Sequence, residues 1–296
     1  MVDVIMAAPP VVLSPAARLP VELIEMICEE LASLDSRLYQ AGTTNWYHFH
    51  HREALAAAAR ISRQWTHPAQ TTLLRSLCFV YGDDCAKFLA AMEHNPQLFS
   101  LPRGLQFSII DYETATCPPH LGMCDFIPIL FNKCRNVERV HISTELNLSS
   151  NRFNAALYNM RNLRTFVFES RRMVGHSNAW FQSSVRYLPP SVRLLGVQND
   201  VDVRVIFDVP ATVDLLEYWY FENYPNSLIR RLINLLEPDN LPVKFSRFNL
   251  YYEPFCAPQI DVSPDMVASL TALFAARGIV FKLFVGPWNP AAVLRY

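Results

Sequence analysis

The first quarter of the chain has apolar residues at helical spacing. In LPVELIEMICEEL, residues 19–31, apolar side chains recur every three or four positions and the glutamates gather on the opposite side. Pro20 suits a first helical turn, where its missing N–H would have no partner. A second amphipathic helix is predicted over 52–64, residues 66–68 break it, and a third short helix follows over 68–74. Such short helices bury little surface on their own.

Beyond residue 75 the pattern changes to short apolar segments. Eight of them have central positions that recur at steps of 23 to 35 residues, namely 77, 105, 140, 166, 195, 218, 248 and 283. Helix-like stretches lie between them, among them residues 85–94, 127–134, 226–238 and 263–278. The clearest, residues 263–278, has Ser263 as its cap and Gly278 as its stop. A repeating strand–turn–helix unit with a parallel sheet is therefore predicted, in the manner of a solenoid.

Composition narrows the classes of protein that fit this pattern. The net charge of -1 and the absence of a basic block argue against nucleic acid as a partner. No apolar run reaches the roughly 18 residues that cross a bilayer, and we expect no membrane interaction. Residues 1–17 are predicted to be a disordered tail rather than a secretory signal, and seven irregularly spaced cysteines suit a reducing compartment. We expect a protein of the cytoplasm, the nucleus or both, with buried thiols.

Chemistry-bearing motifs are missing from the sequence. The glycines are too far apart for a GxGxxG or P-loop motif, and there is no GxSxG or HExxH sequence. His48, His50 and His51 stand close together without the cysteine or carboxylate ligands that a structural zinc site needs. We therefore expect no catalytic residue, no metal and no cofactor. An enzyme would require a pocket that gathers histidines and carboxylates from distant parts of the chain.

Two blocks of the N-terminal region carry a family resemblance. The first is LPVELIEMICEEL and the second includes RISRQW at residues 60–65. Together they resemble an F-box, which opens with Leu-Pro-x-Glu-Leu and continues to a variant of Val-Ser-Arg-x-Trp. The matching residues are Leu19, Pro20, Glu22, Leu23, Ile27, Leu31, Ile61, Ser62, Arg63, Trp65 and Leu74. Residues 32–54 separate the blocks by more than the family usually allows, and an ordinary amphipathic helical hairpin is the alternative.

The resemblance implies a docking module over residues 18–78, with a long internal loop at 32–54. In the family this module binds a Skp-type adaptor and, through it, a cullin-RING ubiquitin ligase. The adaptor-binding residues would be Leu19, Pro20, Leu23, Ile24, Ile27 and Leu31. The internal core of the module would consist of Leu55, Ile61, Trp65 and Leu74.

Residues 79–296 resemble degenerate leucine-rich repeats. Most of the eight apolar segments fit part of the LxxLxLxxN pattern, but the asparagine that should follow each strand occurs once, as Asn223. The resemblance implies a short, irregular α/β solenoid. A generic α/β domain is the alternative.

Alternation along the predicted strands turns a second set of residues onto the other face of the sheet. Aromatic and arginine side chains on an open face are common anchors of protein interfaces. The candidate substrate-binding residues are Arg139, His141, Glu169, Trp219, Phe221, Arg247 and Tyr251. An apolar run such as WYF is equally expected of a strand that is buried on both faces, so Trp219 and Phe221 could instead belong to the core.

The sequence thus predicts an α/β protein: a small N-terminal three-helix F-box followed by an irregular leucine-rich-repeat-like α/β solenoid. The expected function is substrate recognition in an SCF-type ubiquitin ligase, with a protein substrate that the sequence does not identify. The alternative is a non-catalytic interaction scaffold that uses the same helices without a cullin.

Overall fold

The computed structural model describes eleven parts of the chain. They are residues 19–39, 50–79, 82–109, 123–144, 148, 151–170, 179–198, 201–220, 225–237, 243–252 and 262–285. The chain divides into two compact units at Leu74 and Arg75. The predicted boundary after residue 78 is wrong, because it falls inside a strand, Ser76–Phe79, that belongs to the sheet of the second unit.

The first unit contains three helices: α1 (Val21–Tyr39), α2 (His50–Ala58) and α3 (Arg63–Arg75). Two sequence predictions fail here. The loop predicted over 32–54 is partly helical, since no glycine or proline interrupts the chain between Pro20 and Tyr39. Pro68 does not break a helix but lies buried inside α3, where it removes one N–H from the helical hydrogen-bond pattern. The predicted second helix instead ends at a turn over residues 59–62.

Eight strands form one sheet in the second unit. They are β1 (Ser76–Phe79), β2 (Gly104–Ile109), β3 (Arg139–Thr144), β4 (Thr165–Ser170), β5 (Leu194–Gln198), β6 (Leu215–Tyr220), β7 (Arg247–Tyr252) and β8 (Val280–Val285). Each strand pairs in parallel with the next one in the chain, so the sheet order is the sequence order. Each of the eight predicted central positions lies within one of these strands. The predictions of an α/β fold and of a parallel sheet are confirmed.

Six α-helices and two short 3-10 helices, Pro96–Ser100 and Val203–Phe207, accompany the strands in the described part of this unit. The α-helices are α4 (Gly82–Glu93), α5 (Met123–Lys133), α6 (Asn151–Tyr158), α7 (Ala179–Val185), α8 (Pro225–Leu236) and α9 (Pro264–Ala275). Four of them correspond to predicted helical stretches, whereas α6 and α7 were not predicted. The caps of α9 are as expected: Met266 N donates to Ser263 Oγ at 3.5 Å, and Gly278 has the positive φ of 71° that favours glycine.

The helices pack against one face of the sheet. Phe168 on β4 stacks on Phe181 of α7 with ring centroids 4.1 Å apart, and Phe248 on β7 lies 5.1 Å from Phe274 of α9. The strand pairing places Phe168 and Phe248 on the same face of the sheet. This face and the inner sides of the helices form the main hydrophobic core.

Related turns lead into β3 and β4. Their sequences are Arg135-Asn136-Val137-Glu138 and Arg161-Asn162-Leu163-Arg164. In each turn the asparagine side chain donates to a backbone carbonyl of the preceding repeat: Asn136 Nδ2 to Ser100 O at 2.9 Å, and Asn162 Nδ2 to Arg135 O at 3.0 Å. Side-chain hydrogen bonds between successive turns therefore precede these strands.

Candidate functional site

Helix α1 carries two apolar faces. Ile24 and Cys28 are fully buried, whereas Leu23 is 44% exposed, Met26 64% and Ile27 39%. Residues three and four positions apart share a side of a helix, so Leu23, Met26 and Ile27 form one stripe. We call these three residues the exposed stripe of α1. It presents apolar side chains that the first unit does not bury.

The buried face of α1 closes the core of the first unit. Ile24 and Cys28 form one cluster with Leu55, Ala58, Trp65 and Ala69. Leu19 and Leu31 pack against this cluster as partly buried side chains. The start of α1 is fixed to α3, because Gln64 Nε2 donates to Leu19 O at 2.6 Å. The cluster orients α1 with its exposed stripe outward.

These positions correct several sequence-based assignments in the first unit. Ile24 was expected to contact an adaptor but belongs to the core, and Leu19 and Leu31 are partly covered by it. Pro20, Leu23 and Ile27 remain exposed.

Only some of the residues predicted to form the core of the first unit are buried. Leu55 and Trp65 are buried as expected, and Leu74 is half-buried. Ile61 is 50% exposed, because it lies in the turn between α2 and α3 rather than on an inward helical face.

The sheet face opposite the helices, which we call the open face, includes most of the predicted substrate-binding residues, although its central positions are buried. Strand pairing aligns His141, Val167, Gly196, Glu217 and Asn249 in one row across five strands. Glu169 lies in the next row, together with Trp219 and Tyr251. The two arginines, Arg139 and Arg247, lie in the row at the start of the strands and are exposed.

Trp219 is not a surface anchor. It is only 3% exposed, because its ring lies over Gly196 on the neighbouring strand. It also stacks on Tyr251 at 5.7 Å, and Tyr251 stacks on Phe284 at 4.6 Å. The alternative that Trp219 belongs to a packed layer is therefore the correct one. Phe221 and Asn223 lie outside the described residues.

Glu217 is a buried carboxyl at the centre of this layer. It is 2% exposed, and its Oε1 accepts from Asn249 Nδ2 at 3.3 Å and from the Tyr251 hydroxyl at 3.2 Å. Its Oε2 has no hydrogen-bond partner among the described residues. Burial raises the pKa of Glu217 to about 7, although the two hydrogen bonds and Arg247 act in the opposite direction. The charge of this group therefore changes near neutral pH.

A histidine–carboxylate pair lies on the same face. His141 Nε2 is 3.5 Å from Glu169 Oε2, and both side chains are half-buried. The open face therefore combines exposed arginines near the strand starts with a central layer that is largely packed. Its accessible side chains include the aromatic Phe284 of β8, which is 40% exposed and stacks on Tyr251, as well as the two arginines.

Sequence reasoning overlooked three features of these surfaces. Met26 has the most exposed apolar side chain of the α1 stripe, and a helical wheel places it beside the glutamates rather than on the main apolar face. Gly196 makes room for the ring of Trp219. A lone glycine inside an apolar strand is a sequence signal for such a close approach. Alternation along β6 places Glu217 on the face away from the helices, but the strand pattern does not reveal that this glutamate is buried.

The described cysteines fit the expectation of buried thiols in most cases. Cys28, Cys85 and Cys134 are buried, and Cys78 is half-buried. Burial raises the pKa of Cys134 to about 12, despite the opposing charge of Lys133. Burial also raises the pKa of Cys28 and Cys85, so the three buried thiols are poor candidates for nucleophiles.

Neither a model of a known protein family nor a curated protein sequence matches this chain. None of the helices in the described ranges is long and apolar enough to cross a bilayer. Within the same ranges, no group of three or more histidine, cysteine or acidic side chains could hold a metal ion. His48 and the side chains of His50 and His51 lie outside those ranges.

Proposed function

We propose that this chain is the substrate-recognition subunit of an SCF-type cullin-RING ubiquitin ligase. In this proposal the first unit is an F-box that binds a Skp-type adaptor. The second unit is a leucine-rich-repeat-like solenoid that binds a protein substrate. The ligase partners supply the chemistry, and this chain brings the lysines of a substrate close to the transferring enzyme.

The observation that carries the proposal is the exposed stripe of α1. Leu23 and Ile27 occupy positions of the F-box pattern, and both remain exposed while Ile24 and Cys28 fill the core. An amphipathic helix with a second, uncovered apolar side is suited to a groove on a helical partner. The apolar side chains of such a stripe are typical binding anchors.

The sheet of the second unit supports the solenoid part of the proposal. Its eight strands are parallel and follow the order of the chain, and the helices whose contacts define the core cover one face. Stacked strand–helix repeats produce this arrangement. The opposite face then offers Arg139 and Arg247 as exposed substrate contacts, with His141, Glu169 and Tyr251 half-buried beside them. Trp219 is omitted from the contacts, since it is packed.

Affinity purification of the tagged full chain tests this function. We expect the wild-type chain to retain a Skp-type adaptor and a cullin, and the double variant Leu23→Ala/Ile27→Ala to lose both. Ile129→Ala is the matched control, because it truncates an exposed isoleucine on α5 of the second unit. Retention of the adaptor without a cullin would indicate the scaffold function instead. Full retention of the adaptor and the cullin by the double variant would contradict the proposal that the exposed stripe of α1 is the docking surface.

A further inference from the structure

The second unit has a concentration of arginines at the edge where its strands begin. Six arginines lie in the turns before strands β2 to β5 or at the start of these strands, and all six are exposed. We call them the arginine edge: Arg103, Arg135, Arg139, Arg161, Arg164 and Arg193. The net charge of the whole chain is only -1, whereas these six arginines share their edge with two bonded neighbours of opposite charge, Glu138 and Asp214.

Backbone hydrogen bonds bring these arginines together. Glu138 N donates to Arg103 O at 2.8 Å, Arg164 N to Glu138 O at 2.8 Å, and Arg193 N to Arg164 O at 2.9 Å. Residues bonded in this way lie on neighbouring strands about 4.8 Å apart. Arg164 and Arg193 are therefore adjacent, and Arg103 lies two strands from Arg164.

The turns before the strands extend the same surface. Asn162 Nδ2 donates to Arg135 O, so the turn that carries Arg161 contacts the turn that carries Arg135. Arg139 continues the surface onto the open sheet face, where its strand partner is Thr165. Four consecutive strands, β2 to β5, thus contribute to one cationic surface rather than to scattered charges.

Two of the six arginines form side-chain contacts that stabilise the edge itself. Arg103 pairs with Glu138 at 3.3 Å, and Arg193 Nη1 donates to Thr212 O at 2.8 Å. The guanidinium groups of Arg135, Arg139, Arg161 and Arg164 make no hydrogen bond or ion pair within the described ranges. Arg135 and Arg161 closely follow the C-terminal ends of α5 and α6, where the helix dipole stabilises a positive charge. This stabilisation accounts for two of the six arginines and does not explain why all six lie along one edge.

The chemistry of the surface indicates the kind of partner. Guanidinium groups bind carboxylates through two parallel hydrogen bonds, and neighbouring arginines can bind successive acidic side chains of an extended segment. Glu138 within the edge and Asp214 next to Arg193 interrupt the positive charge. They would repel a continuous phosphate backbone, whereas acidic side chains of a peptide can be spaced to avoid them.

We propose that the arginine edge binds an acidic segment of a partner protein. The idea that a ligase uses this edge to select its substrate rests on the proposed function. The binding of an acidic segment does not depend on the proposed function, because the arginine edge belongs to the second unit and the adaptor would bind the first. Loss of peptide binding and loss of adaptor binding are therefore separate results.

Fluorescence anisotropy with the full chain tests the proposal. The probe is a labelled peptide of about 12 residues in which glutamate alternates with serine, so that carboxylates recur along one side of an extended chain. A second peptide has glutamine in place of glutamate. A single-stranded RNA of about 12 nucleotides tests the phosphate alternative. We expect the glutamate peptide to bind more tightly than either of the other probes, and to lose about fivefold or more in affinity between about 50 and about 300 mM salt.

Variants locate the binding site. We expect Arg161→Gln/Arg164→Gln to weaken peptide binding by about 5- to 10-fold, since each exposed charge pair contributes modestly. Arg152→Gln/Arg230→Gln removes two exposed arginines from helices α6 and α8 and should leave the affinity unchanged. Equal binding of the glutamine peptide, tighter binding of the RNA, or wild-type affinity in the first double variant would each overturn the proposal.

Discussion

The ring of Trp219 occupies the space above Gly196. A Cβ atom added at Gly196 would lie 2.5 Å from Cζ3 of Trp219 and 3.0 Å from Cγ2 of Val167. The ring cannot easily move away, because it is buried and stacked on Tyr251. This contact fixes the central layer of the open sheet face.

Gly196→Ala should therefore destabilise the second unit. Overpacking of a buried site typically costs about 1 to 3 kcal/mol in the free energy of unfolding. Urea unfolding followed by circular dichroism measures the difference. Gly104→Ala is the matched control on β2, because its added Cβ would come no closer than 3.4 Å to another atom. Equal stability losses in the two variants would contradict the close contact between Trp219 and Gly196.

Glu217 should make stability depend on pH. Burial raises the pKa of its folded form to about 7 from an ordinary 4.5, so the folded state binds more protons than the unfolded state between these values. Stability falls over this range as pH rises, by up to about 3 kcal/mol for the whole shift. Glu217→Gln removes this titration. We expect the variant to gain stability relative to wild type between about pH 5 and about pH 8 in urea unfolding.

The exposed Glu237 provides the control for this measurement. Glu237→Gln should retain the pH dependence that Glu217 gives to the wild-type stability, because Glu217 is still present. If the difference in stability between wild type and Glu217→Gln were independent of pH, the buried carboxyl would not carry the raised pKa.

The asparagines before β3 and β4 should contribute to the stacking of the repeats. Asn162→Ala removes the hydrogen bond to Arg135 O and should lower the free energy of unfolding by about 1 kcal/mol. Asn159→Ala alters an exposed asparagine three residues earlier and should change it by less than about 0.5 kcal/mol. Urea titration of both variants gives the comparison. A loss as large in Asn159→Ala would show that the bond to Arg135 has no special role.

Periodicity predicted the architecture of the second unit well. The segments around positions 77 to 283 all became strands, because each alternates apolar residues toward one layer of helices. The ends of α9 were also predictable from Ser263 and Gly278, whose local chemistry does not depend on the rest of the fold. Helix α6 was overlooked because its eight residues, NRFNAALY, make only about two turns, although the buried Phe153, Ala156 and Leu157 stand at helical spacing.

The candidate surfaces were harder to predict, because burial is decided by neighbours in space. Ile24 and Ile27 both lie on the apolar side of a helical wheel, and only the packing of α2 and α3 buries one and exposes the other. Trp219 is similar: its strand position faces away from the helices, yet Gly196 on the next strand allows it to lie flat and become covered. The side-chain hydrogen bonds of Asn136 and Asn162 join successive turns of the chain. Predicting them from the sequence would require an alignment of repeats that differ in length.

The two faces of α1 should respond differently to truncation. Ile24→Ala removes a fully buried side chain and should destabilise the first unit by about 2 to 5 kcal/mol. Leu23→Ala should change stability by less than about 1 kcal/mol, since that side chain is substantially exposed. Hydrogen-exchange mass spectrometry of peptides from α1 and α3 resolves these effects within the first unit. Stronger deprotection in Leu23→Ala than in Ile24→Ala would reverse the assignment of the two faces.

The most direct test of the proposed docking is calorimetric titration of the purified full chain with a purified Skp-type adaptor. We predict that the wild-type chain binds and that Leu23→Ala/Ile27→Ala weakens binding by about 30-fold or more, which corresponds to about 2 kcal/mol. Ile129→Ala/Val280→Ala removes two exposed apolar side chains from the second unit and should bind like wild type. Absence of wild-type binding, or undiminished binding by the α1 double variant, would contradict the account.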